Sequence, residues 1–173
     1  MRDEGPIRDG QEAHVVHANG QHWRVTWHRP EAVPEGRRHG SAGICIVPDG
    51  RAVIVSVDGT RWDLPAGRPE GLEDWEATLR REVQEEACAT VTAARLLGFS
   101  RGRCVKGHDA GLVLVRAIWW AEVQLQPWLP CFEMRHRRLV PTADLVSHLV
   151  IDGDADYGAI FHRAMTETGL ALP

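Results

Sequence analysis

Closely spaced cysteines are missing from this chain. The four cysteines of the 173-residue sequence lie far apart and no two of them form a CxxC pair: Cys45, Cys88, Cys104 and Cys131. Zinc ribbons and disulfide-stapled domains depend on such spacings. The sequence therefore predicts neither, and reduced thiols are typical of a cytoplasmic protein.

Long apolar segments are also missing. Residues 1–10 are polar and charged with no apolar stretch behind them, and no apolar run elsewhere is long enough to span a bilayer. We therefore expect a soluble protein that is not exported and makes no membrane contact. Its length and its hydrophobic fraction of 43% suffice for one globular domain with a substantial core.

An excess of positive charge is absent as well. The net charge is -4 at pH 7, which gives no global attraction to nucleic acid and favours small phosphorylated substrates. Two local basic clusters are exceptions: Arg101, Arg103 and Lys106, and then Arg135, Arg137 and Arg138. They are either solvated surface charge or phosphate contacts, and the first cluster is our candidate for substrate binding.

Turn signals and alternating apolar residues predict an α/β fold. Asn19-Gly20 is a strong two-residue turn signal, so residues 14–28 should form a β-hairpin. Residues 30–40 are then predicted to be a connecting loop, and a second hairpin over 41–57 should turn at Pro48-Asp49-Gly50. Further strands are predicted over 91–98, 111–125 and 138–141, and helices through the acidic segment at 82–86 and over 142–150 and 154–167.

The acidic segment is the most informative part of the chain. Glu82, Glu85 and Glu86 are three and four residues apart, which places their side chains on one face of a helix. The apolar residues Trp75, Leu79, Val83 and Ala87 recur every fourth residue and should anchor another face in the core. A divalent cation that prefers carboxylate oxygen would offset the gathered negative charge.

The segment from Gly67 to Ala89 closely resembles the Nudix box. Glu73, Arg81-Glu82-Val83 and Glu85-Glu86 stand at the intervals of that motif, and Trp62 to Gly67 resembles its entry. Cys88 stands where the family has Gly, so we expect the helix to end differently there while metal binding is retained. The resemblance implies an alpha/beta/alpha sandwich with a mixed sheet over 41–173. It leaves residues 1–40 as an additional hairpin and connecting loop. It also suggests a homodimer, with this N-terminal segment as part of the interface.

The resemblance also implies a metal site and catalytic residues. Glu85, Glu86 and the Gly67 carbonyl would bind Mg²⁺, with Mn²⁺ as a possible substitute, and Glu82 would be a further ligand or the base that activates water. Arg81 would orient these carboxylates, supported by an ion pair with Glu73. Glu133 is a candidate for a further metal ligand from a later loop, or else an exposed loop glutamate.

The implied reaction is hydrolysis of a pyrophosphate bond in a nucleoside diphosphate linked to another moiety, such as a nucleotide sugar, an ADP-ribose-like compound or a nucleoside triphosphate. Two alternatives remain open: a non-catalytic domain that senses a nucleotide, and a pyrophosphohydrolase acting on RNA 5′ ends. A base could stack on Trp62, Trp119, Trp120 or Trp128. Core packing is the stronger interpretation for most of these side chains.

Overall fold

Alternating apolar residues form the strands of one curved sheet in the computed structural model, which describes residues 13–149 and residue 166. The elements are β1 (Ala13–Ala18), β2 (Gln21–His28), β3 (Arg37–Ile46), β4 (Arg51–Ser56), β5 (Ala66–Gly67), α1 (Trp75–Ala87), β6 (Ala89–Lys106), β7 (Val113–Leu125), β8 (His136–Pro141), a 3-10 helix (Thr142–Asp144) and α2 (Leu145–His148).

The eight strands form a single mixed sheet. Its order is β1-β2-β6-β7-β3-β4-β8, with β5 paired to β3 beside this path. The pairing of β3 with β7 is parallel, and the other strand pairs are antiparallel. A mixed sheet flanked by helices confirms the predicted α/β fold class.

Both faces of the sheet are buried. Along β4, Val53 and Val55 face a core that α1 covers with Leu79, Val83 and Ala87. The alternate residues of β4 face a second core on the opposite side, to which α2 contributes Leu145. Burial on both faces explains why β4 is almost continuously apolar in sequence.

The N-terminal hairpin has the predicted turn. Asn19 and Gly20 both have positive φ, of 52° and 70°, as a two-residue hairpin turn requires. Strand β2 then pairs along β6 from His22 to His28, so the hairpin extends the main sheet. The predicted boundary between the N-terminal segment (residues 1–40) and the sandwich domain (41–173) falls within β3.

Three predicted boundaries were wrong. Residues 37–40 belong to β3 rather than to a loop, because they pair with β7 through a register shift between Arg38 and Gly40. Strand β6 continues to Lys106 instead of ending at Gly98, because its second half pairs with both β2 and β7. The segment predicted as one helix from Thr142 is divided into the 3-10 helix and α2.

The end of that predicted helix and the whole of the next one lie beyond residue 149. The predicted helix over 154–167 falls outside the described residues, except for Thr166, which is helical. Within residues 13–149 and residue 166, no helix has both the length and the apolar character needed to cross a membrane.

Candidate active site

Helix α1 is held by packing and by a cap at its beginning. Leu79 and Val83 are fully buried on its core face. Asp74 precedes the helix, and its side chain accepts a hydrogen bond of 2.8 Å from the backbone N–H of Ala77, which satisfies one free donor of the first turn. The opposite face is therefore presented in a fixed orientation.

Three carboxylates occupy that face, which we call the acidic face: Glu82, Glu85 and Glu86. Glu82 and Glu86 are only 8% and 3% exposed, and Glu85 is half-buried. Carboxylates are seldom buried unless they are paired or bind a cation. The spacing in the sequence predicted this shared face.

Helix α1 ends at Cys88. This residue has left-handed backbone angles, φ 47° and ψ 55°, which glycine adopts most easily. The Arg137 guanidinium donates to the carbonyl oxygens of Ala87, Cys88 and Gln126 at 2.8, 3.0 and 3.1 Å. A cation at the C-terminus of a helix satisfies free carbonyls and complements the helix dipole.

Arg81 links the acidic face to the loop before the helix. Its guanidinium donates to Glu73 at 2.8 and 3.1 Å, as predicted, and to Glu82 at 2.8 Å and Glu85 at 3.1 Å. It also donates to the carbonyl oxygen of Arg68 at 2.7 Å. The hydrogen bond from Arg81 lowers the pKa of Glu73 to about 2, and the pair raises the pKa of Arg81.

The entry loop packs directly against the carboxylates. The backbone N–H of Ala66 donates to Glu86 at 2.8 Å. A side chain at Gly67 would overlap the Glu82 carboxylate, and a side chain at Gly40 would overlap the Gly67 carbonyl. Glycine is therefore required at 67 for close approach of backbone to carboxylate.

Burial leaves the acidic face with excess negative charge. Burial, with smaller contributions from the charges of Glu82, Glu133 and Asp63, raises the pKa of Glu86 to about 8 against the hydrogen bond from Ala66. Burial also raises the pKa of Glu82, with smaller contributions from Glu85 and Glu133, against the effect of Arg81. Glu133 is exposed, as the alternative interpretation had it, yet its charge acts on both buried carboxylates.

No group of three or more His, Cys, Asp or Glu side chains among the described residues is arranged to hold a metal ion. Glu82 and Glu85 are hydrogen-bonded to Arg81 instead. The chemistry of the donors nevertheless fits a hard divalent cation, because the Glu82 carboxylate lies against the Gly67 backbone and the buried negative charge around it is incompletely compensated.

A cavity of about 560 Å³ lies between the N-terminal hairpin and strands β3 and β7. One wall is apolar and comes from the N-terminal hairpin, with Val16, Trp23 and Val25. The other, which we call the basic wall, consists of Arg37, His39, Arg68 and Arg116, with Arg38 beside it. Arg68 follows Gly67 directly, so the basic wall begins one residue from the candidate metal site.

His39 lies at the centre of the basic wall. Burial, with smaller contributions from the charges of Arg116, Arg68 and Arg37, lowers its pKa to about 4. The imidazole is therefore neutral at physiological pH, and the positive charge of the wall belongs to the arginines.

The predicted substrate-binding residues lie elsewhere. None of Arg101, Arg103 and Lys106 lines the cavity. Arg101 and Arg103 alternate along β6 with Ser100 and Gly102, which do line it, and Arg101 donates to the carbonyl of Glu35 at 2.8 Å. Their contact with substrate stays a prediction.

Sequence reasoning missed the basic wall and Trp23. Two signals were present: Arg116 is the one basic residue of β7 and stands among apolar residues, and Arg37-Arg38-His39 is a basic segment directly before the buried part of β3. Of the tryptophans considered for base stacking, Trp62 and Trp119 are buried in the two cores.

Comparisons with known proteins agree with this geometry. The NUDIX domain model matches residues 37–162. A comparison with curated protein sequences found no match. Solved structures with the same fold include the pyrophosphohydrolase BsRppH of Bacillus subtilis, with a TM-score of 0.66, 18% identity, and coverage of 90% of this chain and 98% of that one.

Two further solved structures share the fold, with TM-scores similar to each other. MutT from Aliivibrio salmonicida and Vibrio cholerae has a TM-score of 0.53 and 20% identity, covering 76% of this chain and 99% of that one. The NUDIX domain of NrtR from Shewanella oneidensis, complexed with ADP ribose, has a TM-score of 0.53 and 16% identity, covering 80% and 92%.

Proposed function

This chain belongs to the NUDIX domain family, and from that premise we propose that it is a metal-dependent hydrolase. The reaction is cleavage of a pyrophosphate bond in a nucleoside diphosphate linked to another moiety. The observation that supports this proposal most directly is the acidic face of α1, whose buried carboxylates lie against the Gly67 backbone.

Each residue of the site has a proposed role. Glu85, Glu86 and the Gly67 carbonyl hold Mg²⁺ or Mn²⁺, Glu82 is a further ligand or the base, and Glu133 is an additional ligand from its loop. The metal, when bound, stabilises charge on the phosphoryl oxygens and lowers the pKa of a coordinated water. Arg81 fixes the orientation of Glu82 and Glu85, and Glu73 fixes Arg81.

The protonation of Glu86 couples metal binding to pH. A carboxyl with a pKa of about 8 holds a proton at neutral pH when no cation is near. Binding of a metal ligated by that carboxylate must release the proton. Metal affinity should therefore rise between pH 6 and pH 8.

All carboxylates of the box are present, which supports an enzyme over a sensing domain.

We further propose that the protein acts in the cytoplasm on small nucleotide substrates, as a homodimer that uses the N-terminal hairpin. Sedimentation velocity with and without residues 1–36 tests the dimer. A monomer in both samples would refute that assembly.

The activity is tested with a substrate panel. Release of phosphate or mononucleotide is measured from nucleoside triphosphates, ADP-ribose, nucleotide sugars and dinucleoside polyphosphates, with Mg²⁺, with Mn²⁺ and with chelator. We expect metal-dependent turnover of at least one class. Absence of turnover together with ligand-induced thermal stabilisation would instead identify a sensing domain.

Glu85→Gln provides the matched test of the mechanism. The amide preserves the shape of the side chain but weakens metal ligation, so turnover should fall by at least about 100-fold. Glu76→Gln is the control, because Glu76 lies on the same helix and pairs with Arg80 at 2.7 Å, away from the acidic face. Near wild-type turnover in folded Glu85→Gln protein would contradict the mechanism.

A further inference from the structure

The basic wall contains positive charge that the fold does not use. Among residues 13–149 and residue 166, the side chains of Arg37, Arg68 and Arg116 make no hydrogen bond and no ion pair within 4 Å. Arg51, Arg80 and Arg81, by contrast, are each paired with a carboxylate at 2.7 or 2.8 Å. Unpaired arginines facing one cavity are an electrostatic fit for an anionic ligand.

The acidic groups near the wall do not neutralise it. Asp109 also lines the cavity, but its carboxylate accepts from the Gln21 amide at 3.0 Å and lies 3.2 Å from the His108 ring. Asp63 is close enough to Arg116 for their charges to interact. Three arginines therefore face two carboxylates. Asp109 already has other partners, and Asp63 forms no ion pair within 4 Å with Arg116.

The three arginines come from different parts of the chain. Arg37 lies on β3, Arg116 on β7 and Arg68 in the loop after β5, and all reach the same cavity. Arg37 and Arg68 are exposed and Arg116 is half-buried, so a ligand can reach each of them. Arg68 follows Gly67 in the chain, and its carbonyl accepts a hydrogen bond of 2.7 Å from Arg81, so the backbone of the wall is joined to the residue that orients the acidic face.

The side of the cavity formed by the N-terminal hairpin is apolar. Trp23 lies there, only partly buried, together with buried Val16 and Val25, whereas Leu114 pairs with Arg37 on the side of the arginines. An aromatic face accepts a nucleobase of any identity. The cavity thus offers apolar contact on one side and positive charge on the other.

We propose that this cavity binds a nucleoside polyphosphate, with the phosphate chain against Arg37, Arg68 and Arg116 and the base against Trp23. A chain of three or more phosphates supplies the negative charge that the wall lacks, whereas the neutral hydroxyls of a nucleotide sugar do not. The assignment of substrate class rests on the proposed hydrolase activity. The binding of a polyphosphate does not.

Binding is tested without turnover, by calorimetry with inorganic tripolyphosphate in chelator. Arg116→Gln and Arg37→Gln should each weaken binding at least tenfold, and Arg116→Lys should restore part of it. Arg24→Gln is the matched control, because Arg24 is exposed on β2 between the cavity-lining residues Trp23 and Val25. Equal weakening by Arg24→Gln, or weakening by Arg103→Gln rather than Arg116→Gln, would overturn the proposal. Unfolding curves confirm that each variant is folded.

Specificity is tested by kcat/KM for each ribonucleoside triphosphate and the matching nucleoside diphosphate sugar. Arg116→Gln should lower the value for triphosphates at least tenfold and that for sugars less than threefold. A parallel loss for both classes, or a wild-type preference for sugars, would overturn the proposal. Tripolyphosphate binding that depends on Arg116, without turnover of any substrate, would support the cavity assignment and refute the hydrolase.

Discussion

The acidic face and the basic wall lie beside each other but differ in how their charge is held. Arg81 donates to Glu73, Glu82 and Glu85, so two carboxylates of the acidic face are held by a cation within the protein, although one cation does not balance their charge. The arginines of the basic wall have no such partner among the described residues. Charge that is compensated internally contributes to the fold, whereas charge that is not compensated is available to a ligand.

Removal of one arginine from each region should separate these two uses. Arg81→Gln leaves three carboxylates without their cation and should cost about 3 kcal/mol of unfolding free energy. Arg37→Gln should change it by less than about 0.5 kcal/mol, because Arg37 is exposed and forms no ion pair within 4 Å among the described residues. Urea denaturation measures the free energy of unfolding of both variants. Similar losses in the two variants would show that the basic wall also supports the fold.

The two regions meet at Gly67, where a methyl group should have a large effect. Gly67→Ala forces the added carbon into the Glu82 carboxylate and should reduce turnover about 100-fold, as displacement of a catalytic group by about 1 Å does. In the control Gly102→Ala, the added carbon on the cavity floor would lie 3.5 Å from Trp23, an ordinary contact. Equal activity of the two variants would mean that the carboxylate moves aside without consequence.

The acidic face should also oppose stability where Glu86 is ionised. The folded-state pKa of about 8 exceeds the ordinary value of 4.5, so the folded protein holds a proton that the unfolded chain loses between these values. Its stabilisation is complete below about pH 4.5 and declines as pH rises to about 8. In chelator, Glu86→Gln should therefore be more stable than wild type at pH 8, by a few kcal/mol, and equally stable near pH 4.5.

Thermal unfolding across this pH range, with and without Mg²⁺, measures the effect. Mg²⁺ should stabilise the wild type at pH 8 and should have little effect on Glu86→Gln, because the amide is a weaker ligand. A wild-type protein whose stability in chelator rises from pH 5 to pH 8 would refute the argument.

The acidic face could be predicted from sequence because it is local. Glu82, Glu85 and Glu86 belong to one helix, and helical geometry alone places them together. The partnership of Arg81 with Glu73 spans eight residues within the same motif and could be predicted for the same reason. Local spacing and a motif with fixed intervals were sufficient to predict both the acidic face and the Arg81–Glu73 pair.

The basic wall could not be predicted in this way, because it is assembled by sheet topology. Arg37 and Arg116 come together only through the parallel pairing of β3 with β7, which joins segments nearly 80 residues apart. Arg101, Arg103 and Lys106 were chosen because they cluster in sequence, yet alternation along β6 turns Arg101 and Arg103 away from the cavity. Clustering along a strand does not imply a shared surface.

Cys88 provides the smallest test, at the end of the helix that carries the acidic face. Its left-handed backbone strains any residue with a Cβ, whereas glycine adopts it freely. Cys88→Gly and Cys88→Ala both remove the buried thiol, so the difference between them isolates the backbone strain. The glycine variant should be the more stable by about 1 kcal/mol, measured by urea denaturation. Equal stability would show that the hydrogen bonds from Arg137 to the helix end, rather than the residue at 88, determine how α1 ends, and those bonds would then be what keeps Glu85 and Glu86 in place.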